Sequence, residues 1–296
     1  METQYTHINE LGQLNSKSKK EAVVNAFRNI KSFYKNSHSI PAESYVFRAR
    51  LGSSVLQPER YLDLSYNPNF DMIKIGRANP DKIPIFYGTT HPNFNKIDQT
   101  TAIKVAIMEC SQLLRENNNE NGIELGCVSR WRLTRELKLF SFFNYDFGVL
   151  TDPMIIDFNK QLNDQIMLNS GQPARDLEIN RWIATIFAER FNSEDAHKYQ
   201  ISSMLANNFM SKGHDGIIYP TVQGEGTTIN VALTAKAADT LKLEYVTQIA
   251  NLKAKGLTRT FFTKQSAEII NGKILTWTNC TSVSYTHLTL PTTPYV

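Results

Sequence analysis

Six histidines and three cysteines are all that this chain of 296 residues offers as nitrogen and sulfur metal ligands. Cys110, Cys127 and Cys280 lie far apart and none belongs to a C-x-x-C pair. A zinc ribbon and a disulfide framework are both excluded, no metal site is expected, and a reducing compartment fits best. The chain has no G-x-x-x-x-G-K-[ST], no H-E-x-x-H and no G-x-S-x-G. Gly224-Glu225-Gly226 lacks the third glycine of a dinucleotide fingerprint and sits in a poor context for one. P-loop, zinc-hydrolase, α/β-hydrolase and Rossmann readings therefore lose their support. Charge of one sign is also scarce: 32 Lys and Arg against 28 Asp and Glu leave a net charge of only +4. Lys17, Lys19 and Lys20 make too short a basic run to suggest nucleic acid. No apolar run reaches membrane-spanning length, and the polar N-terminus lacks the core of a signal peptide. A soluble cytoplasmic protein is the expectation. The stretch after Val283 has no Lys, Arg, Asp or Glu and is rich in Thr and Pro. Residues 283–296 read as a non-native tail and stay outside the fold argument.

With 41% hydrophobic residues the chain can bury a sizeable core in one large domain. Ser18-x-x-Glu21 is a capping box, and Val23, Phe27, Ile30 and Tyr34 follow at helical spacing, predicting a helix to about Asn36. Tyr45, Phe47, Ala49 and Leu51 alternate with Val46, Arg48 and Arg50. That is a strand whose basic face points out of the main core. Residues 52–84 are loop-rich, Ile83–Tyr87 is a short strand, and Thr101–Glu116 is a helix. Strands are expected over 127–133, 137–143, 216–219 and 229–233, and helices over 172–191 and 199–210. A helical turn follows at 235–241, and Asn271-Gly272 marks a hairpin turn in a small sheet appendage. The pattern is α+β without regular βαβ alternation.

Within this frame the chemistry-bearing residues come from separate short elements. Arg48 and Arg50 share one strand face, Arg77 lies in Gly76-Arg77-Ala78-Asn79-Pro80, and Tyr87 ends Pro84-Ile85-Phe86-Tyr87. Glu109 falls roughly 100° from the centre of its helix's apolar face, at the rim. Asp215–Thr221 supplies an opposing wall. Guanidiniums, a phenol and a rim carboxylate suit a cleft for a phosphate-bearing, cationic nucleotide. Each residue also has a plainer reading. Arg48 and Arg50 are solvated, Arg77 pairs with Asp81, and Tyr87 is a core aromatic. Glu109 is an exposed helix charge, Thr221 caps a turn, and Cys110 belongs to the core.

The ordered set Phe-Arg-Ala-Arg (47–50), Gly-Arg-Ala-Asn-Pro (76–80), Ile-Pro-Ile-Phe-Tyr-Gly (83–88), Ala-x-x-Glu (106–109) and Gly-His-Asp-Gly-Ile-Ile-Tyr-Pro-Thr (213–221), followed by Ile229-Asn230-Val231-Ala232-Leu233, resembles the RES-domain family. The likeness runs from about Ser44 to Leu233. The family includes NAD-degrading toxins related in fold to ADP-ribosyltransferases. The resemblance implies a single domain with mixed sheets around a central cleft. Its divisions are an N-terminal helical segment (1–43), the RES-like domain (44–233) and a small C-terminal extension (234–282). It implies Arg48, Glu109 and Thr221 as catalytic residues, and Arg48, Arg77, Tyr87 and Thr221 as NAD+-binding residues. Thr221 stands where the family usually has Ser. No cofactor is implied, since NAD+ is the substrate. Water or inorganic phosphate is the acceptor, and a small helix-turn-helix antitoxin is the expected partner. Two alternatives remain open: transfer of ADP-ribose to a macromolecule, and an inactive nucleotide- or partner-binding module.

Overall fold

The strands assemble into two half-sheets that share one residue pair. The computed structural model describes residues 33–52, 56, 58–92, 100–115, 121–143, 150, 152–189, 199–221, 224, 226–254, 257–270, 274–279 and 288–289. Among these, the strands are β1 (Ser37–Ile40), β2 (Tyr45–Leu51), β3 (Ile85–Thr90), β4 (Gly122–Leu133), β5 (Leu137–Ser141), β6 (Gly216–Pro220), β7 (Ile229–Thr234), β8 (Leu241–Ala254), β9 (Leu257–Ile270), β10 (Ile274–Asn279) and β11 (Leu288–Thr289). The helices are α1 (Thr100–Cys110), α2 (Gln112–Arg115), α3 (Pro153–Asn169), α4 (Pro173–Ala188), α5 (Gln200–Met210) and α6 (Ala235–Ala238). The sheet order is β1-β5-β6-β7-β3-β2-β4-β8-β9-β10, with β11 on β9. Only β5 and β6 run parallel among the described pairs. The chain is therefore α+β, with one large mixed sheet.

The joint lies in the middle of that order. β3 pairs with β7 over six residue pairs and β2 with β4 over seven, yet β2 meets β3 only at Phe47 and Thr89. Beyond that pair no ladder ties Arg48–Leu51 to Ile85–Gly88, and the sheet forks.

Alternation along each strand decides what the two faces carry. One face holds the largest core, where Val46, Phe86, Trp131, Ile218, Val231 and Leu233 meet Ile155, Phe158 and Leu162 of α3. The other face holds two smaller cores. Ile85, Ile217 and Ala232 lie under Ile183 and Phe187 of α4 and Leu205 and Phe209 of α5. Phe47, Ala49, Val128 and Ile249 lie under Ala102, Ala106 and Ile107 of α1. Both faces of β2 thus meet a core, and Arg48 is half-buried rather than pointing out of the main core as expected. Arg48 shares a face with Val46, and its guanidinium carbon stands 5.1 Å from the centre of the Phe86 ring.

Other expectations shift as well. Of the N-terminal segment 1–43, residues 1–32, and with them the capping box, lie outside the described residues. Residues 33–36 are not helical, and Ser37–Ile40 pairs with β5 as a strand. In segment 234–282, β8 and β9 extend the main sheet. β8 pairs with β4 over twelve residue pairs and buries Leu243, Val246 and Ile249, so the sheet continues through it. The Asn271-Gly272 turn lies outside the described residues, as does the tail 283–296 apart from Leu288–Thr289, which pairs with β9. The helix expected to reach Glu116 breaks at Ser111, whose Oγ accepts from the Leu114 amide at 3.0 Å. Cys110 is exposed rather than in the core. Helix α3 has no counterpart in the sequence reading. Its signals were present: Asp152 caps the Met154 amide at 2.8 Å, and Pro153 takes the first position.

Close backbone approach restricts β4. A Cβ on Gly126 would stand 2.2 Å from the carbonyl oxygen of Arg50. Gly126→Ala is expected to push β2 from β4 and cost about 1–3 kcal/mol, read as a lower urea midpoint.

A salt bridge locks β5 to the start of β6. Arg135 grips Asp215 at 2.6 and 2.9 Å, and the Lys138 amide donates to the same carboxylate at 2.9 Å. Burial pushes this carboxyl up, but the hydrogen bonds and charge of Arg135, with the Lys138 amide, outweigh burial and hold it below the ordinary 3.8. A carboxylate lowered on folding adds stability above its unfolded value and loses it as pH falls through the folded one. The wild-type unfolding midpoint should therefore drop on acidification below about pH 4. Asp215→Asn, less stable at neutral pH, should show a shallower drop in the same titration.

Candidate active site at the fork of the sheet

Arg48 fills the fork. Its Nε donates to the Leu64 carbonyl at 3.1 Å and one terminal nitrogen donates to the Tyr87 carbonyl at 2.6 Å. The guanidinium therefore spans from the 3-10 turn Tyr61–Leu64 to β3, where strand pairing has stopped. Arg50, two residues on, donates to the Asp63 carbonyl at 2.5 Å. Among the described residues Arg48 forms no ion pair. Burial first, and the like charge of Arg50 second, lower it to about 10, which leaves it charged at neutral pH. A half-buried cation held by carbonyls retains its attraction for an anion.

Tyr87 alternates onto the opposite face and fixes the glycine-led turn. Its hydroxyl donates to Asn79 Oδ1 at 2.7 Å and accepts from the Ala78 amide at 2.8 Å. Asn79, buried, also donates to the Lys74 and Pro80 carbonyls at 3.0 and 2.9 Å. The phenol is thus a structural clamp on residues 76–80, and burial keeps it well above the ordinary tyrosine range. Arg77, carried on that turn, donates to the carbonyls of Phe187 and Glu189 at the end of α4. It also lies 5.2 Å from the centre of the Tyr199 ring. Asp81, its partner in the plainer reading, instead accepts from the Ile75 amide. Arg77 thus caps a helix C-terminus, where a cation is favoured.

Glu109 sits half-buried in the last turn of α1, with Oε1 accepting from Asn230 Nδ2 at 3.2 Å. Thr221 follows β6 and is only 1% exposed. Its hydroxyl points at the Thr228 carbonyl at 3.4 Å, beneath Gly224 and Val105. The expected ligand-facing hydroxyl is therefore inside the wall. Asn230, which holds Glu109, lies 3.5 Å from the carbonyl oxygen of Pro220, the residue before Thr221.

Tyr219 ties these groups together. Burial raises its phenol far above the usual range, the nearby Tyr87 and Glu109 raise it further, and Arg77 opposes them. Arg48 in turn feels both Tyr87 and Tyr219, as well as Cys110, the residue after Glu109. Tyr219 thus lies within electrostatic reach of Tyr87, Glu109 and Arg77, while Arg48 reaches the two tyrosines from the face that it shares with Val46 and Phe86.

Sequence reasoning named Arg48, Arg77, Tyr87, Glu109 and Thr221 but assigned nothing to Asn230, Tyr199 or Tyr219. The signal for Asn230 was an amide inside the apolar run Ile229–Leu233. A buried polar group on a strand needs a partner, and here the partner is Glu109. In comparison with known proteins, the chain matches no family model and no curated protein.

Proposed function

We propose that the chain cleaves NAD+ at the nicotinamide–ribose bond, as an enzyme of the RES and ADP-ribosyltransferase-like type. What supports this reading is a half-buried cation at the fork, Arg48 on the Tyr87 carbonyl, together with the half-buried carboxylate of Glu109 on Asn230, Tyr219 being within electrostatic reach of Glu109 and Arg77. Nicotinamide leaves as a neutral base, taking the electron pair of the broken C–N bond, so no strong general acid is needed. Positive charge develops on the ribose, and Glu109 supplies the fixed negative charge that stabilises it. Arg48 and Arg77 hold the diphosphate, each charge-assisted contact contributing on the order of 1.5–3 kcal/mol. Water or inorganic phosphate then bonds to the anomeric carbon and releases its proton to solvent. By the same resemblance the protein is a growth-inhibiting toxin of the cytoplasm, paired with a helix-turn-helix antitoxin.

The test is incubation of the purified chain with NAD+, with and without phosphate, following free nicotinamide. Release in either condition is expected. Silence of both the wild type and Thr221→Ser would remove the enzyme reading.

A second reading has its own support. Thr221 is buried, and Arg77 is already committed to the end of α4. Both facts favour a nucleotide-binding module without turnover, for which tight NAD+ binding without nicotinamide release is the signature. Transfer of ADP-ribose to a macromolecule would instead leave labelled NAD+ attached to protein or nucleic acid.

A further inference from the structure

We infer that Asn230 is a positioning residue: it sets the orientation of the Glu109 carboxylate. The inference rests on the proposed role of Glu109 opposite the ribose and adds a residue to that machinery.

Asn230 stands on β7 in a run whose other members are apolar and fully buried, and it is itself only 4% exposed. The register puts it between Thr89 of β3 and Tyr219 of β6, in a row that continues to Phe47 at the joint of the half-sheets. A buried carboxamide is costly without partners. Its Nδ2 donates to Glu109 Oε1 at 3.2 Å and lies 3.5 Å from the Pro220 carbonyl, next to Thr221. Thr89, its cross-strand neighbour, donates to the Ala102 carbonyl at 2.7 Å. Ala102 and Glu109 are seven residues apart, close to two turns, and so project from one side of α1. Two polar side chains on adjacent strands therefore pin this helix, one at its first turn and one at its last. Thr89 grips backbone, so it fixes only where the helix lies. Asn230 grips the carboxylate itself, which fixes how the charge is turned.

The plainer role is a buried amide that only anchors α1. The two roles separate in steady-state kinetics. Asn230→Leu keeps the shape and removes the donor, and Asn230→Asp is isosteric and places a second acceptor against Glu109. Orientation predicts that nicotinamide release falls about 10–100-fold in kcat for either variant, with KM within about threefold. If release is unchanged in both, or if KM rises while kcat holds, the inference is overturned. Asn230→Asp keeps the comparison readable should the leucine variant misfold.

A second measurement does not need activity. Urea midpoints for Asn230→Leu, Glu109→Met and the double variant form a cycle. Removing either partner already deletes the contact between them, so removing the second deletes it no further. The double variant should therefore unfold at a midpoint no lower than that of the worse single variant. Additive losses would show that the two side chains do not act on each other, whatever the protein does to NAD+. A silent wild type with a non-additive cycle would remove the NAD+ reading and leave the contact standing.

Discussion

On the proposed NAD+-cleaving reading, Glu109→Gln should reduce nicotinamide release by about 100–1,000-fold, the usual cost of removing one preorganised electrostatic group. The change preserves shape and can still accept from Asn230, so the helix end has no reason to move. NAD+ affinity should stay within a few-fold and the unfolding midpoint should be unchanged. That combination is the mark of a charge used only as the ribose becomes cationic. A matched fall in affinity would instead place Glu109 in ground-state binding. Equal rates for the two proteins would leave the carboxylate with a purely structural part, tying α1 to β7.

Arg48→Ala is expected to be the most destabilising of these site substitutions, at about 2–4 kcal/mol. The Leu64 and Tyr87 carbonyls both lose their donor, and the face of Phe86 loses its cation. These groups lie where β2 and β3 no longer pair, so no ladder bond compensates. Arg48→Lys restores charge, but an ammonium does not reproduce a planar fork reaching two carbonyls at once. It should recover less than half of the lost stability. Urea denaturation of the three proteins reads this directly. An alanine variant as stable as wild type would return Arg48 to the class of solvated surface charges.

Local pattern carried much of the fold. The alternation in Tyr45–Leu51 gives β2, the apolar spacing of Ile179, Ile183 and Phe187 gives α4, and the run Ile229–Leu233 gives β7. What failed was whatever depends on distant residues. The faces of β2 could not be ranked, because Val46 is buried by Trp131 and Phe86 from other strands. Only the plainer reading pairs Arg77 with Asp81, its neighbour in sequence, whereas the carbonyls that hold Arg77 lie more than a hundred residues away. Segment 234–282 looked like an addition because nothing in β8 itself states that β4 is its neighbour. Helix α3 differs in that its signals are local: Asp152-Pro153 and the spacing of Ile155, Phe158, Leu162 and Ile166. For the site, residue types and their order were legible. The burial of Thr221 and the grip of Asn230 on Glu109 required the pairing of β6 with β7.

That pairing scheme also bears on how the chain is made. β3 has one residue pair with β2, and its full ladder waits for β7, whose first residue, Ile229, lies far downstream of Ile85. At typical elongation speeds the ribosome needs on the order of 10–30 s to cover that distance. For that interval a nascent strand rich in apolar groups has an open edge, a known hazard for sticking to other chains. Expression yield should therefore respond more to translation speed and chaperone supply than the stability of the finished protein would suggest.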